Sequence, residues 1–140
     1  MHPQSLQGLR ILIVDDNDTN RDILCDQVRA WGMESEGAHG GLQALEHLRL
    51  ASLRGQAYDV AILDMQMPHM DGITLARAIQ SESQWASIRL VLLTSAGWCG
   101  NRSEMQQAGI DDYLSKPVRR TQLYNCLVAL MSTSPTSLPA

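Results

Sequence analysis

The sequence lacks the basic patches by which proteins hold nucleic acids. Its formal net charge is −4, with 11 lysines and arginines against 15 aspartates and glutamates. The pair Arg119-Arg120 is its one basic cluster. Because phosphate backbones are bound by clustered cations, this charge balance argues against nucleic acid as a partner.

Cysteines and long apolar runs are scarce as well. The three cysteines, Cys25, Cys99 and Cys126, are far apart and form no Cys-x-x-Cys pair, which argues against a disulfide framework or a zinc site. The apolar runs are too short to cross a bilayer, and the N-terminus has no basic region followed by an apolar core. We therefore expect a cytoplasmic domain without direct membrane contact.

The length of 140 residues fits one domain whose hydrophobic core is large enough to be stable without disulfide bonds or structural metal ions. Residues 1–8 are polar and unpatterned, and residues 132–140 form a Ser/Thr/Pro-rich tail. We expect both ends to be linkers, with one packed domain over residues 9–131.

Within that domain, short apolar runs alternate with amphipathic segments. The amphipathic segments predict five helices: one from Thr19 to Trp31 that ends at Gly32, one with Leu42, Leu45 and Leu48 at every third position, and three more nearer the C-terminus. A glycine-rich loop is expected between Ser95 and Gly100. The predicted strands are Ile11–Val14, Glu34–Ala38, Val60–Leu63, Leu90–Leu93 and Asp112–Ser115. This alternation predicts an α/β fold with a parallel sheet and helices on both faces.

The central feature of the sequence is the stretch that ends in Asp64. The uncharged run Val60–Leu63 is typical of a strand buried on both faces, and it delivers one carboxylate at its carboxyl end. Pro68 and the turn signal Asp71-Gly72 then end the strand, and Asp71 can cap the next helix. Asp64 is therefore expected at the sheet edge where open α/β folds bind ligands.

Other polar residues follow the neighbouring strands. Asp15 and Asp16 come directly after the first strand, Thr94 ends the fourth, and Lys116 follows the fifth. Three carboxylates held close together need a cation to offset their repulsion, and an all-oxygen set suits Mg²⁺. A screened carboxylate beside a lysine and a hydroxyl has the groups needed to accept a phosphoryl group.

These residues and their order resemble the receiver domain of two-component response regulators over residues 8–131. The resemblance rests on matched motifs: Asp15-Asp16, Asp64 with Met67-Pro68 and Asp71-Gly72 after it, Thr94, Tyr113 and Lys116-Pro117. It implies a flavodoxin-like, doubly wound sheet in the order 2-1-3-4-5 with five helices. It also implies that Asp64 is the phospho-acceptor, that Asp15, Asp16, Asp64 and the backbone carbonyl of Gln66 hold Mg²⁺, and that Lys116 contacts the phosphoryl group.

The same resemblance implies a switch and partners. Thr94 and Tyr113 would be the switch pair, with the hydroxyl moving toward the phosphoryl group while the ring turns inward. The motifs Val14–Asn17, Asn20-Arg21 and Lys116–Val118 are most similar to receivers of hybrid sensor histidine kinases. A histidine kinase domain or a histidine phosphotransfer domain would then dock near Leu24 and its exposed neighbours. We expect a monomer or weak dimer, which a membrane-bound hybrid kinase can tether.

Several alternatives stay open from the sequence. A phosphohydrolase with Asp64 as nucleophile generally needs an acid two residues later, where this chain has Gln66. A flavin-binding relative would place a phosphate at the first loop, where Asp15-Asp16 would repel it. A free-standing regulator and a scaffold that is not phosphorylated are the other two. We do not expect a conventional enzyme, only self-catalysed phosphorylation and dephosphorylation of the aspartate.

Overall fold

A computed structural model describes residues 6–67, 69–85, 87–95 and 102–132. The predicted turn at Pro68 and the glycine-rich loop containing Cys99 lie outside the described residues. Within the described ranges, no helix is both long and apolar enough to cross a membrane.

Five parallel strands form the sheet of the described chain, in the order β2-β1-β3-β4-β5. Their bounds are β1 Arg10–Val14, β2 Glu34–Ala38, β3 Val60–Asp64, β4 Arg89–Thr94 and β5 Asp112–Ser115. The predicted strand order is confirmed, and the strand limits differ by at most one residue from those that the apolar runs indicate. Because all pairings are parallel, the five carboxyl ends meet at one edge.

The helices of the described residues are α1 Asp18–Ala30, α2 Gly41–Leu53, α3 Gly72–Gln80, α4 Arg102–Gln107 and α5 Arg120–Ser132. Asn17 and Asp71 cap α1 and α3 through their side chains, as N-cap residues do. Gly32 directly follows Trp31, the C-cap residue of α1. Its φ of 87° allows the chain to leave the helix there. The sequence did not predict the short 3₁₀ turn Ser83–Trp85.

The sheet separates two apolar layers. Alternate residues of the central strands point to opposite faces, so that Leu12 and Leu63 belong to the layer under α2, α3 and α4 while Ile13 and Ile62 belong to the layer under α1 and α5. Leu6 is fully buried in the second layer. Packing therefore reaches into the segment that composition predicts to be a linker.

The leucine repeat predicts α2 correctly but does not define its buried face. The residues of α2 that face the core are Gly41, Ala44, Leu48 and Ala51, whereas Leu42 is 74% exposed. A spacing of three residues turns about 60° short of a full helical turn, so Leu42 and Leu48 lie about 120° apart around the axis. One of the two must leave the core.

Candidate functional site

Two carboxylates are buried at the carboxyl edge of the sheet. Asp15 follows β1, with its amide donating to the carbonyl oxygen of Ala38, and Asp64 ends β3. Asp15 is 0% exposed and Asp64 is 2% exposed, while Asp16 beside them is exposed. One carboxylate oxygen from each of the three lies within 4.8 Å of the others. The structure thus brings together the acidic residues that the sequence placed at separate strand ends.

Asp15 has one oxygen without a hydrogen bond. Its Oδ1 accepts from the backbone amide of Asn17 at 2.9 Å, but no described residue donates a hydrogen bond to its buried Oδ2. The nearest cation is the Nζ of Lys116, 3.6 Å from that oxygen. A buried carboxylate oxygen that accepts no hydrogen bond costs free energy, so a cation bound beside this oxygen would stabilise the site.

Lys116 reaches the site from the end of β5. Its Nζ donates to Asp64 Oδ2 at 2.9 Å, and its backbone amide donates to the carbonyl oxygen of Thr94 at 2.7 Å. Burial lowers the pKa of Lys116, but the hydrogen bond to Asp64 and the negative charges of Asp15 and Asp64 outweigh it and raise that pKa above its ordinary value. The ammonium therefore stays charged at neutral pH. The Lys116-Pro117 peptide bond is cis.

The pKa of the Asp64 carboxyl group lies above its ordinary value, because burial outweighs the groups that favour the charged form. Burial raises the pKa of its carboxyl group, and the negative charge of Asp15 adds to that effect. The hydrogen bonds from Lys116 and from the backbone amide of Gln66, 3.2 Å from Oδ1, act in the opposite direction. A cation bound at the acidic cluster would favour the ionised carboxylate, which is the nucleophilic form.

The loop after β3 is held close against Asp64. The Met65 amide donates to the Leu93 carbonyl at 2.8 Å, and the Gly72 amide donates to the Met65 carbonyl at 3.1 Å. A Cβ at Gly72 would lie 2.7 Å from the backbone oxygen of Asp64, which is closer than real Cβ contacts come. Gly72 is therefore needed for close approach, whereas the sequence indicated only a turn there.

The donor set fits magnesium. All the candidate ligands offer oxygen, two of the three carboxylates are buried, and Asp15 Oδ2 accepts no hydrogen bond from the described residues. Mg²⁺ prefers hard oxygen ligands and keeps part of its water shell, which the exposed position of Asp16 allows.

The predicted switch residues lie on β4 and β5. Thr94 is 1% exposed, and its Oγ1 donates to the carbonyl oxygen of Leu114 at 3.4 Å. Tyr113 is 41% exposed and lines a cleft of about 260 Å³ with Met105 and Ile110. The hydroxyl is thus buried at the site, and the ring stands at the surface beside a space between α4 and β5.

Arg21 is a residue that sequence reasoning did not place at the site. Its guanidinium donates to the backbone oxygen of Asp15 at 2.7 Å and pairs with Asp18. It therefore fixes the backbone between β1 and α1. Nothing in the sequence identified this role, because its partner at the site is a backbone carbonyl.

A cleft of about 360 Å³ opens beside the acidic residues, between α1 and the chain that follows β5. Its lining includes Asp15, Ile23, Leu93, Lys116 and Val118. Leu24, the predicted centre of the docking region, is only 5% exposed, whereas its neighbour Ile23 is 49% exposed. Ile23 is therefore the accessible side chain of these two.

Comparison with known proteins gives a consistent result. Residues 11–128 match the family described as the response regulator receiver domain. The chain is 32% identical over 124 residues to hybrid signal transduction histidine kinase L of Dictyostelium discoideum, and 32% identical over 124 residues to the sensor protein GacS of Pseudomonas syringae pv. syringae. Each alignment covers 86% of this chain but only 7% and 13% of the two relatives, so the chain corresponds to a small part of each.

Solved structures of receiver domains and related proteins have a similar fold. The chemotaxis protein CheY4 of Vibrio cholerae matches with a TM-score of 0.78 and 28% identity, covering 86% of this chain and 96% of that one. The receiver domain of a sensor histidine kinase from Pseudomonas aeruginosa PAO1 matches with a TM-score of 0.76 and 29% identity, covering 90% and 99%. That second structure has a magnesium ion coordinated in its active site cleft.

Proposed function

Because this chain belongs to the response regulator receiver domain family, we propose that it accepts a phosphoryl group on Asp64 within a phosphorelay. The observation that carries the proposal is the position of the Asp64 carboxylate, buried at the end of β3 with Asp15 and Lys116 beside it. Ionisable groups that burial and charged neighbours perturb in this way cluster at functional sites.

The chemistry follows from these groups. A carboxylate oxygen of Asp64 attacks the phosphorus of a phosphohistidine, the P–N bond breaks, and the imidazole leaves with its electron pair and takes up a proton. Lys116, which holds Asp64 Oδ2 before transfer, is then within reach of a phosphoryl oxygen. Its positive charge offsets the negative charge added to the buried edge.

Magnesium would be held by Asp15, Asp16, Asp64 and the backbone carbonyl of Gln66. When bound, it neutralises negative charge that gathers on the transferring phosphoryl oxygens. The orphaned Oδ2 of Asp15 supports this assignment, because a cation there would satisfy it.

Thr94 and Tyr113 would transmit the change. Thr94 Oγ1 must exchange its long hydrogen bond to Leu114 for one to the phosphoryl group. The space so freed lets the Tyr113 ring turn from the surface toward β4, which repacks the surface of α4, β5 and α5.

Similarity to hybrid kinases favours a chain that is one module of a longer histidine kinase. The phosphohistidine of a kinase domain or of a phosphotransfer domain would then supply the phosphoryl group, in the cytoplasm. Ile23 and the cleft beside Lys116 would receive that partner. The domain itself would act only on its own aspartate, both in taking up the group and in losing it to water.

The test is phosphorylation by a small donor. Incubating the chain with acetyl phosphate and Mg²⁺ should give a single phosphoryl adduct by intact mass, absent in Asp64→Asn and retained in the control Asp26→Asn, whose carboxylate is exposed on α1. Chelation with EDTA should abolish the adduct, and added Mg²⁺ should restore it. An adduct of undiminished yield in Asp64→Asn would refute the assignment, and no adduct in the parent chain would indicate a scaffold.

The docking surface is tested separately. Ile23→Glu should slow transfer from a phosphorylated histidine phosphotransfer domain while leaving the rate with acetyl phosphate unchanged, because the small donor needs no protein contact. Equal slowing with both donors would mean that the substitution damages the site itself.

A further inference from the structure

Three leucines of α2 face solvent on one side of the helix. Leu42 is 74% exposed, Leu50 is 41% exposed and Leu53 is 79% exposed. Glu46 and Arg49 lie between them on the same side, both exposed, and neither forms an ion pair with any residue that the structure describes. We call these five residues the α2 face. Apolar side chains grouped this way on a surface mark an interaction site.

Four of the five residues of the α2 face are placed symmetrically about the midpoint of the helix segment that they span. Leu42 and Leu53 lie equally far from the midpoint between His47 and Leu48, and so do Glu46 and Arg49. At about 100° per residue, these four positions fall within a narrow stripe along the helix. Leu50 borders the stripe, and its mirrored position is the half-buried Leu45.

We infer that the α2 face pairs with the same face of a second copy of this chain, with the two helices antiparallel. A twofold axis through the midpoint brings Leu42 of one copy level with Leu53 of the other. The same axis brings Glu46 level with Arg49 of the second copy, so that two negative and two positive charges meet at the centre. This self-complementarity of both apolar and charged residues favours a second copy over an unrelated partner.

The pairing is weak and independent of the phosphorylation site. One helix face is smaller than the roughly 800 Å² that each partner contributes to a standard interface. The α2 helix packs on the sheet face opposite α1, so the contact leaves Ile23 and the acidic edge open. The pairing and the proposed function therefore stand or fall separately.

Sedimentation equilibrium of the 140-residue chain tests the pairing. Between about 10 μM and 1 mM, the range of weak associations, we expect a monomer–dimer equilibrium. Leu42→Glu and Leu53→Glu should each lower the association constant at least about tenfold, because each removes two leucine contacts per dimer. Ile23→Glu, an equally polar change at an exposed position on α1, should leave it unchanged.

A charge exchange tests whether the two copies meet in the antiparallel orientation. Glu46→Arg and Arg49→Glu each place four like charges at the centre and should lower the association constant about threefold to tenfold. The double variant restores two charges of each sign and should return the constant to within about twofold of the parent. Circular dichroism and thermal unfolding confirm that each variant is folded. A parent chain that remains monomeric, or a dimer that Leu53→Glu leaves intact, would overturn the inference, as would a double variant weaker than both single variants.

Discussion

Strands β3 and β5 carry different parts of the site in opposite surroundings. All five residues of β3 are buried, and it is paired on both sides, with β1 and β4. In β5, at the edge of the sheet and paired with β4, three of the four residues are exposed. Asp64 therefore belongs to the most confined strand, and Tyr113 belongs to the least confined one.

The difference fits the two tasks proposed for these residues. An acceptor carboxylate must be held at a fixed distance from its cations, because phosphoryl transfer depends on positioning more than on covalent chemistry. A switch residue must have two accessible positions that differ little in free energy. Burial on both faces of the sheet provides the first condition, and an edge strand next to a cleft provides the second.

The largest effect should come from truncating β3. Ile62 is fully buried, and Ile62→Ala should lower the free energy of unfolding by about 3–4 kcal/mol, because it leaves a cavity between the sheet and the layer of α1 and α5. Leu114→Ala on β5 should cost only about 1 kcal/mol, since Leu114 is half-buried. Urea unfolding at neutral pH measures both, and equal costs would contradict the contrast between the strands.

A smaller effect is expected where α3 begins. Gly72→Ala introduces a Cβ that would lie 2.7 Å from the Asp64 backbone oxygen and 2.5 Å from Leu92 Cδ1. We expect a loss of about 2–3 kcal/mol, together with slower phosphorylation by acetyl phosphate, because the end of β3 must shift. Gly40→Ala is the matched control: its Cβ would meet nothing within 4 Å, and its φ of −173° suits any residue. Stability and phosphorylation rate measured on both variants should separate them.

On β5, Asp112 accepts a hydrogen bond from Cys126 of α5, with Sγ and Oδ2 3.4 Å apart. Burial, together with the charge and hydrogen bond of Asp112, raises the pKa of Cys126 to about 12. Since the folded-state pKa is raised, the neutral thiol contributes stability that is fully present below the unfolded pKa and is lost as pH rises toward the folded value. At pH 10.5 we expect a loss of about 2 kcal/mol relative to pH 8.

The alkaline loss is measured by comparison with Cys126→Ala. Urea unfolding in reductant at both pH values gives a difference for each protein, and groups common to both cancel. The parent chain should lose about 2 kcal/mol more than the variant. Parallel pH dependence in the two proteins would mean that folding does not raise the pKa of Cys126.

The contrast between the buried strand β3 and the edge strand β5 also explains which features could be predicted from the sequence. The run Val60–Leu63 is uncharged because both faces of β3 are covered. The sequence therefore predicted both the central position of this strand in the sheet and the carboxylate at its end. The Asp71 cap could also be predicted, because its side chain bonds to a backbone amide only three residues away.

Features that depend on contacts between residues far apart in the sequence could not be predicted. The steric role of Gly72 arises from Leu92 and the Asp64 carbonyl, which approach only in the folded chain. The burial of Leu6 and the exposure of Leu42 depend on which neighbours each one meets, and a short repeat of leucines does not encode that. Arg21 binds a backbone carbonyl, a target with no sequence signature.

The smallest effect on stability, and the sharpest test of β5 as the moving element, is expected at Tyr113. Because Tyr113 is 41% exposed, Tyr113→Leu should change the free energy of unfolding by no more than about 0.5 kcal/mol and leave the yield of phosphorylated Asp64 unaltered. In the parent chain, phosphorylation should alter amide hydrogen exchange in β5 and α5. The variant should lose that change, whereas Tyr113→Phe, which retains the ring, should keep it. If Tyr113→Leu shows the full exchange response, the aromatic ring is not needed for the conformational change. The change in β5 would then depend on its position at the edge of the sheet and not on Tyr113.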